Sequence, residues 1–178
     1  MIIRPIERAE HRDVLAAINA AAKAYKGVIP DDRWHDPYVD SDEFDRELNA
    51  GVVFSGCYLD GRLAGVMGAQ LRLNVMLIRH AYVLPELQGR GLGAALLAHI
   101  RKGTVMPILI GTWVAANWAI RFYQRHGFAL VDGGSIAPLL ETYWNVPARQ
   151  VETSVVLSAP PMSSAEVRKL IAEANKLL

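Results

Sequence analysis

The chain has one cysteine, Cys57, among its 178 residues. That excludes an internal disulfide and a zinc site built from cysteines. No metal is expected. Long apolar runs are also missing. Even the stretch 94–100, rich in Ala and Leu, is interrupted by His99, and a membrane span needs roughly 18 or more apolar residues. The opening MIIRPIERAEHRD turns charged at once, so no signal peptide is expected, and a cytoplasmic protein without a membrane partner is. Internal repeats and low-complexity tracts are absent. Charged residues make up 21% and hydrophobic residues 52%, which excludes a disordered chain and fits one globular domain.

The net charge of +1 conceals an asymmetry. Residues 31–47 hold eight acids, Asp31, Asp32, Asp36, Asp40, Asp42, Glu43, Asp45 and Glu47, against Arg33 and Arg46. Residues 61–131 hold eight bases and one acid, Glu86. A basic stretch of this length marks either a polyanion site or a solvated surface balanced in space by the acidic segment. The bases are dispersed with no Lys/Arg run, so nucleic acid is not an expected partner.

Patterning predicts mixed α+β structure. Residues 2–6 alternate like a strand, and 9–25 carry Val14, Leu15, Ile18 and Ala22 at helical spacing. A loop with Gly27, Pro30 and Pro37 precedes a helix over 40–50, with Asp40 and Glu43 in capping-box positions and Gly51 at its end. Strands over 52–59 and 63–73 are joined by Asp60-Gly61, a hairpin signal. A third strand-like run covers 75–83. A helix over 92–101, a buried strand over 107–114, a helix over 117–126 and strands over 128–131 and 151–157 follow. Residues 158–164 read as a linker. Ser163 and Glu166 form a second capping box, and Val167, Leu170, Ile171, Ala174 and Leu178 make an apolar stripe. The reading is a domain over 1–157 and a linker plus amphipathic helix over 158–178. That helix covers either the chain's own body or a second subunit, as in a homodimer.

The stretch 82–97, YVLPELQGRGLGAALL, carries the chemistry. A β-run ends at Pro85, then Gln88-Gly89-Arg90-Gly91-Leu92-Gly93 opens directly into a helix. Glycines reach positive φ and leave no side chain in the way, so successive N–H groups and the helix N-terminus can face one anion. Arg90 adds a positive charge. The plainer alternative is a tight strand-to-helix corner. The loop also fits a loose G-x-G-x-x-A dinucleotide pattern, but no Asp or Glu lies between Glu86 and Asp132 to hold a ribose. A Gly-Lys-Ser/Thr for a nucleoside triphosphate is missing too.

Gln88-x-x-Gly91-x-Gly93, after a strand ending in Val83-Leu84-Pro85, resembles the acyl-CoA signature of the GNAT superfamily of N-acetyltransferases. Asn117 at a helix start, with Tyr123 before Gly127-Phe128, is similar to that family's second motif. The resemblance spans residues 2–157, and its specific part is 86–128. It implies a GNAT-like twisted mixed sheet of six or seven strands, splayed between strands four and five and flanked by helices. It implies acetyl-CoA as co-substrate. Val83 would offer main-chain hydrogen bonds to pantetheine. Gln88, Gly89, Arg90, Gly91, Leu92, Gly93 and Ala94 would hold the pyrophosphate, and Asn117 would contact the pantetheine or diphosphate arm. Tyr123 would sit near the sulfur as the catalytic acid.

Acetyl transfer to an amine needs a neutral nucleophile, a donor for the developing oxyanion and a proton for the leaving thiolate. A Tyr hydroxyl, with a pKa of about 10, supplies the last. The general base is less clear. Many members of the family carry a Glu on strand four, where this chain has Leu77, and 75–83 contains no acid. His80 is the catalytic candidate, acting directly or through water, with a packed histidine as the alternative. A water chain to an acid in 31–47, or to Glu141, is a further option. The resemblance places the acidic segment, with Trp34 and Tyr38, on the acceptor side. Such a wall suits a cationic amine, whether small molecule or peptide; a solvated helix face is the plainer reading. Tyr143 and Trp144 fit either that cleft or the core, and Cys57 fits the core. Two function classes remain: an N-acetyltransferase, or a non-catalytic acyl-CoA-binding sensor or partner module on the same fold. A nucleotide-dependent oxidoreductase rests on the loose glycine pattern alone.

Overall fold

A computed structural model describes residues 1–144 and 146–178. Its strands are β1 (Ile2–Pro5), β2 (Val53–Leu59), β3 (Arg62–Arg72), β4 (Val75–Val83), β5 (Ile108–Trp113), β6 (Ala129–Leu130) and β7 (Ser154–Ala159). Its helices are α1 (His11–Ala22), α2 (Ser41–Asn49), α3 (Leu92–Lys102), α4 (Asn117–Arg125), α5 (Gly133–Tyr143), α6 (Ala148–Val151) and α7 (Ser164–Ala174). The sheet is mixed and seven-stranded, in the order β1-β2-β3-β4-β5-β7-β6. The pairing of β4 with β5 is parallel. This is the expected α+β architecture. Among the described residues no helix is long and apolar enough to cross a membrane.

The chain divides into two compact units. Unit one is Met1–Gln70 with Ile78–Val105, and unit two is Leu71–Leu77 with Met106–Leu178. In unit one, β1 and β3 flank β2 antiparallel, with Ile3 opposite Cys57 and Phe54 opposite Gly68. The Asp60-Gly61 turn has positive φ at both residues, +49° and +77°, which suits the right-handed twist of a two-residue hairpin. Val14 and Ile18 of α1, Phe44 of α2, and Phe54 and Val66 of the sheet form one buried cluster. Each such side chain contributes about 1.5–3 kcal/mol on leaving water. Asp40 caps α2 by accepting the Glu43 N–H at 2.7 Å. Among the described residues no return bond from the Glu43 side chain completes the expected capping box.

In unit two, β7 pairs antiparallel with both β5 and β6, and Ser158 stands opposite Leu109 on one side and Ala129 on the other. This moves the last strand. Residue 151 belongs to α6, and Ser158 and Ala159, expected in a linker, are buried in β7. The helices α5 and α6 were not expected at all. Asp132 caps α5 by accepting from Gly134 N–H, and Leu139, Leu140 and Tyr143 bury its inner face. The apolar stripe of α7 is used within the chain: Val167, Leu170 and Ala174 are buried with Leu139, Leu140 and Tyr143 in the core of unit two. Its capping box forms as expected between Ser163 and Glu166. Leu178 falls outside the stripe and is exposed.

Candidate active site

The glycine loop lies in unit one, between the end of β4 and the start of α3. Pro85 opens a single 3-10 turn over Pro85–Leu87. Gln88 Nε2 then donates back to the Val83 carbonyl at 3.2 Å. Gly89 and Gly91 have φ of +77° and +78°. A Cβ at either would meet no atom within 4 Å, so these positions need glycine for backbone conformation and not for room. Gly91 is the N-cap of α3 and no side chain caps that helix. Gln88 through Gly91 are exposed, while Leu92 is buried and anchors the first turn. The loop thus offers solvent-facing N–H groups, a positive helix end and the Arg90 guanidinium. That is what an anionic diphosphate requires.

A second group of side chains gathers in unit one, around an acid that the sequence offered only as one of eight in 31–47. Glu47, in the last turn of α2, takes the Arg79 guanidinium on Oε1 at 2.6 Å and a hydrogen bond from His80 Nε2 on Oε2. Its side chain is only 13% exposed. Burial pushes the Glu47 carboxyl upward, but the hydrogen bond and charge of His80, together with Arg79, outweigh it and hold it below the usual carboxylate range. Gln70 accepts a further Arg79 N–H at 3.1 Å and donates its own amide to the Ala50 carbonyl at 2.8 Å. Arg79 and His80 are consecutive on β4, and a regular pleat sends such neighbours to opposite faces. Here both reach one carboxylate. The pleat breaks at His80 itself, whose φ is +48°, a conformation rare outside glycine.

Aromatic rings lead from this group into the acidic segment. The His80 ring lies 5.9 Å from Phe54 and 6.3 Å from Tyr82. Tyr82 meets Tyr25 edge-on, and Tyr38 stacks between Tyr25 and Trp34 at 5.6 Å from each. Of the eight acids in 31–47, six are exposed, as a solvated face would be; only Glu43 and Glu47 are partly withdrawn from water. Burial pushes the Glu43 carboxyl up, and the negative charge of Glu47 one turn away adds to it.

Unit two holds the other expected residues. Asn117 opens α4, exposed, with Nδ2 donating to the Ala115 carbonyl at 3.4 Å. Tyr123 is 5% exposed and lies edge-on to Phe122 and Phe128, with centroids at 5.0 and 5.6 Å. Tyr143 and Trp144 resolve as core residues. Glu141 is exposed on α5. Leu77, at the position of the family's strand-four Glu, is fully buried in the core of unit two. In unit one, Cys57 is fully buried, and burial raises its thiol pKa.

Residues 51–130, which include the glycine loop, match the family model for the acetyltransferase (GNAT) domain. That segment carries the signature of the GNAT acetyltransferase domain. No curated protein sequence matches it. Solved structures share the GNAT fold at low identity. The PaiA N-acetyltransferase of Thermoplasma acidophilum, solved with coenzyme A, is 16% identical over 88% of this chain and 96% of that one, with a TM-score of 0.65. The ribosomal-protein-S18-alanine N-acetyltransferase of Escherichia coli is 18% identical over 91% and 94%, with a TM-score of 0.58. The N-acetylglutamate synthase of Neisseria gonorrhoeae, solved with coenzyme A and N-acetyl-glutamate, is 18% identical over 88% of this chain and 34% of that one, with a TM-score of 0.59. Several GNAT structures therefore hold coenzyme A or acetyl-CoA.

Proposed function

We propose that this GNAT protein is an N-acetyltransferase that moves an acetyl group from acetyl-CoA to a primary amine bound in the same complex. The observation that carries the reading is the loop from Gln88 to Ala94. Two glycines in positive φ deliver an uncapped helix N-terminus and Arg90 to solvent at the end of β4. Gln88, Gly89, Arg90, Gly91, Leu92, Gly93 and Ala94 would hold the pyrophosphate, Val83 the pantetheine, and Asn117 the pantetheine or diphosphate arm. When bound, acetyl-CoA supplies an activated acetyl thioester. Binding the two substrates together lowers the barrier by proximity, without a covalent enzyme intermediate. By the family resemblance Tyr123 gives a proton to the departing thiol. His80 takes the proton that the amine sheds.

The acceptor proposed is a cationic amine. Its support is the run of rings from Trp34 through Tyr38, Tyr25 and Tyr82 to His80 in unit one, on the segment that carries the acids. Ring faces and acidic charge both attract an ammonium group. A non-catalytic acyl-CoA module would bind the same ligand and release no thiol when amine is added. The half-buried carboxylate against His80 favours the enzyme.

Thermal unfolding with acetyl-CoA, against NADH as control, tests the ligand. At 100 times its dissociation constant a ligand of the folded state stabilises by about 2.7 kcal/mol, a clear rise in Tm. A rise with acetyl-CoA alone, followed by amine-dependent thiol release, is expected. No rise, or an equal rise with NADH, overturns the reading.

A further inference from the structure

Arg79 alone would tie α2 to β4, since its guanidinium pairs with Glu47 Oε1 at 2.6 Å. The second oxygen of Glu47 nevertheless goes to His80, which is held on that side by a left-handed backbone. We propose that Glu47 is the positioning residue of the base: it fixes His80 as the Nε2–H tautomer, so that Nδ1 is the atom that takes the proton from the amine. This rests on the acetyl-transfer reading above.

An ionised carboxylate accepts hydrogen bonds and donates none. Its contact with Nε2 therefore places the hydrogen of the neutral ring on Nε2 and the lone pair on Nδ1. Among the described residues no hydrogen bond engages Nδ1. The Arg79 guanidinium on Oε1 and the Nε2–H on Oε2 are the partners of a charged carboxylate. In the reaction the amine lone pair forms the C–N bond, and the C–S pair departs on sulfur. The proton lost from nitrogen goes to Nδ1. The ring then carries a proton on each nitrogen, with Nε2–H still directed at Glu47. Sulfur takes up a proton, the step assigned above to Tyr123; Nδ1 returns its own to water, and the Tyr123 oxygen regains one from water, so both side chains end as they began.

The charged and titratable groups facing His80 are Glu43 and Glu47 from α2, and Arg79 and Tyr82 from β4; Phe54 of β2 adds an apolar ring. A neighbouring anion favours the protonated ring and a neighbouring cation disfavours it. The base works only unprotonated. Glu47→Gln should therefore move the acidic limb of the kcat/KM–pH profile to lower pH, and Arg79→Gln should move it to higher pH. Glu47→Gln should also lower kcat by about tenfold or more, leaving KM for acetyl-CoA unchanged, as part of the roughly 10²–10⁴-fold that a general base supplies. A clamp that merely held α2 would give shifts of one sign or none.

Nitrogen NMR of the histidine-labelled protein gives a readout that needs no substrate, with His80→Gln to assign the signal. A protonated Nε2 and an unprotonated Nδ1 in the neutral ring are expected in the wild type. Opposite shifts of the His80 titration are expected in the two variants. The reverse tautomer, or titrations that move together or not at all, overturns the proposal. If Glu47→Gln does not fold, the wild-type tautomer and the Arg79→Gln titration decide it. A wild type that releases no thiol with any amine overturns the acetyl-transfer reading, and the spectra still judge the tautomer.

Discussion

Glu47 and His80, 33 residues apart in sequence, meet through one oxygen and one ring nitrogen. The contact needs His80 in a backbone conformation that costs of order 1–3 kcal/mol for a residue with a side chain. It returns a charge-assisted hydrogen bond, which is stronger than a neutral one. The strain thus sits on the residue proposed to move the proton, and the acid that holds it there comes from a helix and not from β4.

Arg90→Glu places a negative charge in the exposed loop ahead of α3. The side chain is in solvent and the φ of its two glycine neighbours is unchanged, so Tm without ligand should stay near wild type. Affinity for acetyl-CoA should fall at least about tenfold, the equivalent of 1.4 kcal/mol. Isothermal titration reads it, and wild-type affinity would remove the loop from the site.

Tyr123→Phe removes one hydroxyl and keeps the ring that lies edge-on to Phe122 and Phe128. Turnover should fall by about tenfold or more while the dissociation constant of acetyl-CoA changes little, as for loss of an acid that acts in the transition state. Unchanged turnover would take Tyr123 out of the mechanism.

Tyr143→Phe tests what holds α7. The hydroxyl donates to Asn74 Oδ1 at 2.8 Å and approaches the Leu170 carbonyl at 3.3 Å, and Asn74 Nδ2 donates to the same carbonyl at 2.9 Å. Burial pushes this hydroxyl up to about 12, so it is a donor throughout the neutral range. Its loss should cost about 1–2 kcal/mol, because Asn74 is left with an unmet acceptor. Urea unfolding measures the change.

The pH dependence of stability has one well-defined source in unit one. Glu10 accepts both Arg4 guanidinium nitrogens at 2.8 Å, the Glu7 N–H at 2.9 Å and the Tyr58 hydroxyl at 2.7 Å. The Arg4 hydrogen bonds first, then those of Glu7 and Tyr58, bring its carboxyl from an ordinary 4.5 down to about 2. A depressed folded value stabilises above the unfolded value and is lost as pH falls. The gap in urea midpoint between wild type and Glu10→Gln should be full at neutral pH, shrink below 4.5 and close near 2. A gap that persists at the acid end would assign the effect to packing.

Local chemistry made much of the fold legible. Asp60-Gly61 marked its turn because only certain residues tolerate positive φ there, and the Gln88–Gly93 loop announced the helix it opens. The helix α5 escaped because Gly133-Gly134 and Pro138 argue against a helix, whereas burial of Leu139, Leu140 and Tyr143 decides for one. Propensity is a weak prior against that much apolar area. His80 was visible as the polar candidate on β4. Its partner was not, beyond its membership of an acidic run, because which of eight acids turns inward depends on how α2 packs. Nor does anything in the letters around His80 announce its left-handed backbone.

The division of the chain into segments bears on its synthesis. Unit one closes with Val105, so the glycine loop and the Glu47–His80 pair belong to a body whose last residue joins the chain before α4 through α7 are made. Leu71–Leu77 belong to unit two, whose core includes residues of α7 made about a hundred positions later. Asn117 and Tyr123 lie in that later body. A ribosome-bound chain cut off before α7 would hold every residue of the unit that carries the proposed diphosphate-binding loop, and would lack part of the unit that carries the proposed proton donor.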